Sequence, residues 1–164
     1  DLSRIIFEYG EERHAKKIAR LIVDERKKEP IEMTSQLINI IKRAYPERAA
    51  KHPAKKTFQA IRIEVNRELE VLDKAMEKAV NLLKVGGRLA IITFHSLEDR
   101  AVKNKFKDLS TACKCPKDIP ICMCGGIKKF ENITKKPIVP IDEELEKNNR
   151  AHSSKLRILE RIEL

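Results

Sequence analysis

The sequence has no tryptophan and only 4% aromatic residues, so any core must be built mainly from aliphatic side chains. It has five glycines, at positions 10, 86, 87, 125 and 126, and none forms a glycine-rich loop between a strand and a helix. This excludes the loop that holds nucleotide-like ligands in many α/β folds. No apolar run approaches the roughly 18 residues of a membrane helix and no signal peptide is present, which indicates a cytoplasmic protein with no membrane partner. Because the chain begins with Asp1 and a helix follows at once, we expect a piece of a longer protein.

Positive charge exceeds negative charge, with 35 Lys and Arg against 25 Asp and Glu and a net charge of +10. The excess is spread along the chain and is largest in the amino-terminal third. Such a balance favours a polyanionic partner such as nucleic acid, although a basic surface that is merely solvated gives the same composition.

Apolar residues at helical spacing predict three short helices before residue 46, ending at Gly10, Pro30 and Pro46. A loop rich in lysine and proline follows, and residues 1–56 are predicted to form a helical subdomain. A single long helix is then predicted from Thr57 to Leu83, because the apolar spacing continues until Gly86 and Gly87 stop it.

Residues 57–164 are predicted to form the carboxyl-terminal half of a doubly wound α/β domain. The apolar run Leu89–Thr93 predicts a strand buried on both faces, as in a parallel sheet. A helix from Leu97 to about Leu109, a cysteine-bearing loop at 110–128 and a short strand at 130–134 follow. One or two helical turns begin at Asp142, and a terminal strand covers 155–162, with Leu156, Ile158 and Ile162 on its apolar face.

Polar residues follow the predicted buried strand directly: His95, Ser96, Glu98 and Arg100. Ligands of open α/β sheets bind beyond the carboxyl ends of the strands, which makes this cluster a candidate site. Ser96 and Asp99 also have the spacing of a capping box that opens the next helix. This local role does not exclude a functional role for the neighbouring side chains.

All four cysteines lie in one loop, as Cys113, Cys115, Cys122 and Cys124. Two CxC pairs in a short loop can supply four thiolates to a tetrahedral structural zinc ion. Disulfides are rare in the cytoplasm. The alternative is four thiols in a surface loop without a metal.

Two lysines, Lys55 and Lys56, precede the predicted long helix, and Arg62 and Arg67 follow within it. Lysines beside a helix amino terminus can contact phosphates, so these four residues are candidates for binding RNA. The alternative is a solvated loop and helix face.

Six segments in the same order resemble the bacterial MraW/RsmH family, and together they span essentially the whole chain. They are Gly10–Arg13, His52–Ala54, Thr57–Leu69, Gly86–Leu89, Phe94–Arg100 and Arg150–Arg157. The two longest blocks, at 57–69 and 150–157, are so specific that chance is a poor explanation of the match.

The resemblance implies an S-adenosylmethionine-dependent methyltransferase that modifies the exocyclic N4 of a cytidine in small-subunit ribosomal RNA. It implies a class I, Rossmann-like domain with a helical insertion that recognises substrate, and a partner that is the ribosomal RNA or the small ribosomal subunit. The family's cofactor loop is expected upstream of this chain, so no residue here is assigned to the cofactor and the piece alone is expected to be inactive. His95, Ser96, Glu98 and Arg100 are expected to shape the substrate side of a cleft. A second, RNA-contacting edge is expected from Arg150, Ser153 and Lys155.

Two other functions remain compatible with the residues. The chain can be a nucleic-acid-binding module without catalysis, or a helical interaction domain supported by an α/β scaffold.

Overall fold

The computed structural model describes residues 1–46, 54–113, 115 and 124–163. The chain divides into two compact units, Asp1–Glu68 and Leu69–Leu164. The division therefore falls after Glu68, whereas the sequence predicted a boundary after Lys56. None of the described helices has the length and apolar character that a membrane crossing requires.

The first unit is helical throughout its described part. Its helices are α1 (Leu2–Gly10), α2 (Ala15–Arg26), α3 (Thr34–Lys42) and α4 (Lys55–Asn66). The first three confirm the predicted helices. Their apolar stripes meet in a core of small and branched aliphatic residues: Ile6, Ala15, Ile18, Ala19, Ile22, Ile40, Ile41, Ala44 and Ala54.

Helix α4 belongs to the first unit because it packs closely on α1. A Cβ on Gly10 would lie 2.7 Å from the backbone oxygen of Lys56, so only glycine allows this approach. The Lys56 ammonium donates a hydrogen bond to the Glu11 carbonyl oxygen at 2.9 Å, which satisfies an acceptor at the end of α1. The predicted boundary after Lys56 would have separated these two helices.

Glu12, a buried carboxylate in the loop before α2, binds Tyr45 in the segment that follows α3. The Tyr45 hydroxyl donates to Glu12 Oε2 at 2.6 Å, and the His14 amide donates to Oε1 at 2.8 Å. Burial, and then the hydrogen bond to Glu12, raise the pKa of Tyr45. Both carboxylate oxygens are thus satisfied, as a buried charge requires.

The predicted single helix over Thr57–Leu83 is wrong, because α4 ends at Asn66 and α5 (Glu68–Leu82) starts afresh. Arg67 between them has φ 53° and ψ 38°, the left-handed conformation that ends a helix. Across the break the Arg62 guanidinium binds the Glu68 carboxylate twice, at 2.7 and 3.0 Å. This bidentate pair supports a backbone that an arginine adopts only at a cost.

The second unit contains a three-stranded sheet and its helices. After α5 come β1 (Arg88–Thr93), α6 (Ser96–Leu109), β2 (Phe130–Asn132), α7 (Asp142–Lys147), a 3-10 turn (Asn149–Ser153) and β3 (Lys155–Arg161). The strand order is β1-β3-β2, and β3 is antiparallel to both neighbours. β1 and β2 therefore run in the same direction with the last strand between them.

The core of the second unit lies between helices α5 and α6 and the sheet. It consists of Met76, Val80, Val102, Phe106, Phe130 and Leu159. The expectation that β1 is buried on both faces is not met, since Ile92 is 59% exposed. Among the described strands β1 pairs only with β3, so one of its edges has no partner in this part of the chain.

Strand β3 covers all but the last of its predicted residues, 155–162, but its fully buried face is not the predicted one, since Leu156 and Ile158 are only half-buried. Arg157 and Leu159 are buried, while Ile162 is exposed. On the buried face, Arg157 binds the carboxylate of Asp99 on α6, which compensates its charge.

Candidate functional site at the carboxyl end of β1

The turn from β1 to α6 is held by a reciprocal capping box. His95 is the N-cap residue, and its Nδ1 accepts a hydrogen bond from the Glu98 amide at 3.3 Å. Glu98 Oε2 in turn accepts from the amides of Phe94 and His95, at 2.8 and 3.3 Å. The box therefore uses His95 and Glu98, one residue before the predicted pair Ser96 and Asp99.

The capping box fixes the imidazole of His95 against the carboxylate of Glu98. Because Nδ1 accepts a hydrogen bond, the neutral ring carries its proton on Nε2. That nitrogen lies 3.3 Å from Glu98 Oε1, and the His95 side chain is 8% exposed. The two side chains form a largely buried, preorganised polar pair at the end of a strand.

Asp99 takes no part in the capping box. Instead, it anchors α6 to the sheet. Its carboxylate binds Arg157 Nε at 2.7 Å and Nη2 at 3.2 Å, and Lys155 Nζ approaches at 3.3 Å. The hydrogen bond from Arg157 is the main reason that the pKa of Asp99 is lowered, against the opposing effect of burial. Asp99 is thus an anion held between two cations.

The predicted second edge lies beside the same end of the sheet. Thr93, the last residue of β1, is in register with Lys155, the first residue of β3. Arg150 and Ser153 are exposed on the 3-10 turn that leads into β3. Ser96 and Arg100 are exposed on the first turns of α6. The structure therefore brings His95, Ser96, Glu98, Arg100 and Lys155 to one edge of the second unit.

The basic residues predicted to bind RNA in the first unit have unequal surroundings. Lys55 is exposed at the first residue of α4. Lys56 is bonded to the end of α1, and Arg62 to Glu68. Arg67 ends α4 with its left-handed backbone. Three of the four candidates thus have structural roles of their own.

Three of the four cysteines lie close together in the second unit. Sulfur atoms of Cys113, Cys115 and Cys124 all lie within 4.8 Å of one another. Cys122 lies outside the described residues. The three described thiols are close enough to share one ligand.

Sequence reasoning did not select Arg157 as a site residue and assigned Asp99 only a capping role. The sequence did contain a signal for Arg157. It lies two residues before Leu159 and so on the same face of the strand, and a charge on a buried face needs a buried counter-ion. Nothing in the local spacing identified Asp99, 58 residues away, as that counter-ion.

Comparison with protein-family models gives a match to the MraW methylase family over residues 1–162. The chain belongs to this family. Family membership confirms the α/β, Rossmann-like fold class expected from the sequence.

Curated relatives carry a more specific description. The chain is 85% identical to the ribosomal RNA small subunit methyltransferase H of Fusobacterium nucleatum, over 98% of its own length and 51% of the relative's. It is 55% identical to the protein of that name from Caldicellulosiruptor saccharolyticus and 52% identical to the one from Clostridioides difficile. In both cases the match covers 99% of the chain and 53% of the relative. The chain thus spans about half the length of the curated relatives it matches.

Proposed function

We propose that this chain is part of an S-adenosylmethionine-dependent methyltransferase of small-subunit ribosomal RNA. The observation that carries the proposal is the match of nearly the whole chain, at 85% identity, to a relative with that substrate in its name. From the resemblance in the motifs we propose the exocyclic N4 of a cytidine as the methylated atom. Action on ribosomal RNA implies work in the cytoplasm.

The chemistry requires positioning more than activation by a strong base. An exocyclic amine is a poor nucleophile because its lone pair is delocalised into the ring. The enzyme must hold the nitrogen in line with the methyl sulfonium and accept a proton late in the reaction. A base inside a helix must also leave its stack before it can react.

We propose that the edge at the end of β1 shapes the substrate side of the active site. The His95 and Glu98 side chains are fixed by their mutual capping bonds, so they offer a rigid polar wall. Ser96 and Arg100 are exposed beside them. Asp99 and Arg157 hold this wall on the sheet, and none of these residues is assigned as a general base.

RNA contacts are proposed for both units. In the first unit, Lys55 is exposed at the first residue of α4, and Lys56, Arg62 and Arg67 are the further proposed contacts. In the second unit the proposed contacts are Arg150, Ser153 and Lys155. We propose substrate recognition as the role of the helical unit Asp1–Glu68, and membership of the methyltransferase domain for the unit Leu69–Leu164.

S-adenosylmethionine supplies the methyl group, and no residue of this chain is assigned to it. The turn between β1 and α6 has no glycine, and its amides at Phe94, His95 and Glu98 are already bonded to the capping side chains. This turn is therefore not the glycine-rich loop of a cofactor site. We propose that the 164 residues alone are inactive.

Methyl transfer by the complete protein tests the proposal. Small ribosomal subunits lacking the modification are incubated with labelled S-adenosylmethionine, and the RNA is digested to nucleosides. We expect label in N4-methylcytidine. Label in a different nucleoside would refute the N4 assignment, and RNA binding without any methyl transfer would favour a binding module without catalysis.

Two conservative variants test the proposed wall without removing the helix cap. His95→Asn keeps an N-cap residue, and Glu98→Gln keeps the second half of the capping box. We expect folded proteins whose methyl transfer falls by roughly ten- to a hundredfold, as for a misplaced reactant. Lys103→Ala, at an exposed position of the same helix, is the control. Unchanged rates in both variants would remove this edge from the active site.

A further inference from the structure

We propose that Cys113, Cys115 and Cys124 bind a structural zinc ion that closes the loop between α6 and β2. Their sulfur atoms lie within 4.8 Å of one another. In a tetrahedral zinc site with Zn–S bonds of about 2.3 Å, sulfur atoms are roughly 3.8 Å apart. Small side-chain rotations therefore suffice to bring the three thiolates onto one ion, with one position left for a further donor.

The backbone closes the loop independently of the thiols. A Cβ on Gly126 would lie 1.9 Å from the Ala112 carbonyl oxygen, a distance that no other residue could accept there. Gly125 has φ +56°, a conformation that favours glycine. These two glycines follow Cys124 directly, and Ala112 precedes Cys113. This close backbone approach therefore lies directly beside Cys113 and Cys124.

One zinc ion explains the arrangement better than the other fates of a thiol. A disulfide would join only two of the three sulfur atoms, whereas one zinc ion can bind all three. Iron–sulfur clusters need ligands spread around several metal atoms, whereas these three fit around one ion. Zinc binding would also convert three neighbouring thiols into thiolates whose repulsion the ion cancels.

The cysteine cluster lies beside a cavity. Cys124 lines a cavity of about 340 Å³ together with Asp108, Thr111 and Lys129. An ion with three thiolates carries one net negative charge, and the cavity beside Cys124 has one cationic and one anionic side chain, Lys129 and Asp108. Described residues between Leu109 and Phe130 belong to no helix or strand, so a bound metal would add a cross-link to this part of the chain.

Metal analysis of the complete protein tests the site without reference to methyl transfer. The protein is purified under reducing conditions, without chelator, from zinc-supplemented cells. We expect about one zinc per chain, and in Cys113→Ser and Cys124→Ser we expect roughly a tenth of that. Thr111→Ser, two residues from Cys113, is the matched control and should keep its zinc.

Two measurements on the unaltered protein cover the case in which the serine variants do not fold. A thiol-specific mercurial should release the zinc, as followed with a metal-binding dye. Cobalt added to the metal-free protein should give the thiolate-to-cobalt charge-transfer band and the visible bands of a tetrahedral centre.

Several results would overturn the proposal. They are protein with neither zinc nor cobalt uptake, zinc that persists in both serine variants, stoichiometric iron, or a disulfide between these cysteines in protein purified under native conditions. Each can occur whether or not the protein methylates RNA, so failure here is distinct from failure of the proposed function.

Discussion

Asp99 and Arg157 form a buried ion pair that ties the first turn of α6 to the middle of β3. Arg157 is 4% exposed and Asp99 8%, so neither charge has water to replace its partner. Removing one member of such a pair leaves an uncompensated charge, which typically costs about 3–5 kcal/mol.

Asp99→Asn keeps the shape of the side chain and removes its charge. We expect it to lower the free energy of unfolding by about 3 kcal/mol, measured by urea denaturation at pH 7. Asp108→Asn, at an exposed position of the same helix, should change it by less than about 0.5 kcal/mol. Equal stabilities of the two variants would show that Arg157 does not depend on Asp99.

The same pair predicts how stability depends on pH. The folded-state pKa of Asp99 lies below its ordinary value of 3.8. Its contribution is therefore fully present above pH 3.8 and is lost as the pH falls through the lower, folded-state pKa. We expect the stability difference between the unaltered protein and Asp99→Asn to shrink below about pH 4. A difference that stays constant to pH 2 would contradict the lowered pKa.

Lys55 and Lys56 provide the sharpest test of RNA binding in the first unit. Each phosphate contact releases counter-ions, so Lys55→Ala plus Lys56→Ala should reduce the log–log salt slope of RNA binding by roughly one to two units. Filter binding over a salt series measures this slope in the complete protein, and binding of S-adenosylmethionine should not change.

A second lysine pair on an exposed face gives the control. Lys16→Ala plus Lys17→Ala removes the same charge from α2. If both double variants reduce the slope equally, net charge alone accounts for binding and the start of α4 is not a contact. Because Lys56 also bonds to Glu11, we expect Lys55→Ala alone to affect the slope with the smaller loss of stability.

Packing of α1 on α4 depends on the missing side chain of Gly10. Gly10→Ala should gain about 1 kcal/mol of helix propensity. The collision of its Cβ with the Lys56 carbonyl should cost about 1–3 kcal/mol, as overpacking does. We expect a net loss in thermal unfolding, whereas Glu8→Ala on the exposed side of α1 should have little effect. A more stable Gly10→Ala protein would mean that the two helices separate easily.

The sequence predicted which residues are helical, but it did not predict that residues 57–83 form two helices instead of one. The apolar spacing of Phe58, Ile61, Val65 and Leu69 passes through Arg67 without a glycine or proline to mark a stop. The break depends on a left-handed arginine and on the Arg62–Glu68 pair. Residues of ordinary helix propensity give no local signal for either.

The candidate site shows the same limit. The capping box at the end of β1 was expected one residue too late, because Ser96 and Asp99 have equally good spacing. Only the position of β3 shows which acidic residue caps the helix and which binds Arg157. The cysteine cluster, in contrast, was visible from spacing, since all its members lie in one loop.

For the molecule as a whole, the missing glycine-rich loop predicts weak binding of the methyl donor. We expect isothermal titration of the isolated 164-residue chain to detect no binding of S-adenosylmethionine at micromolar concentrations. The complete protein, titrated in parallel, should bind it. Micromolar affinity of the chain alone, about −8 kcal/mol, would place a donor site among these residues.

The strand order has a consequence for the nascent chain. β1 and β2 share no hydrogen bonds, because β3, which follows both of them in the sequence, lies between them. Thr93 bonds to Lys155, which lies 62 residues later in the sequence. At about 5–20 residues per second, translation of this stretch takes roughly 3–12 s. During that interval β1 lacks its partner β3, and an exposed strand edge can associate with neighbouring chains. Slowing elongation over residues 94–154 should therefore increase aggregation of newly made protein, and supplying β3 as a separate peptide should reduce it.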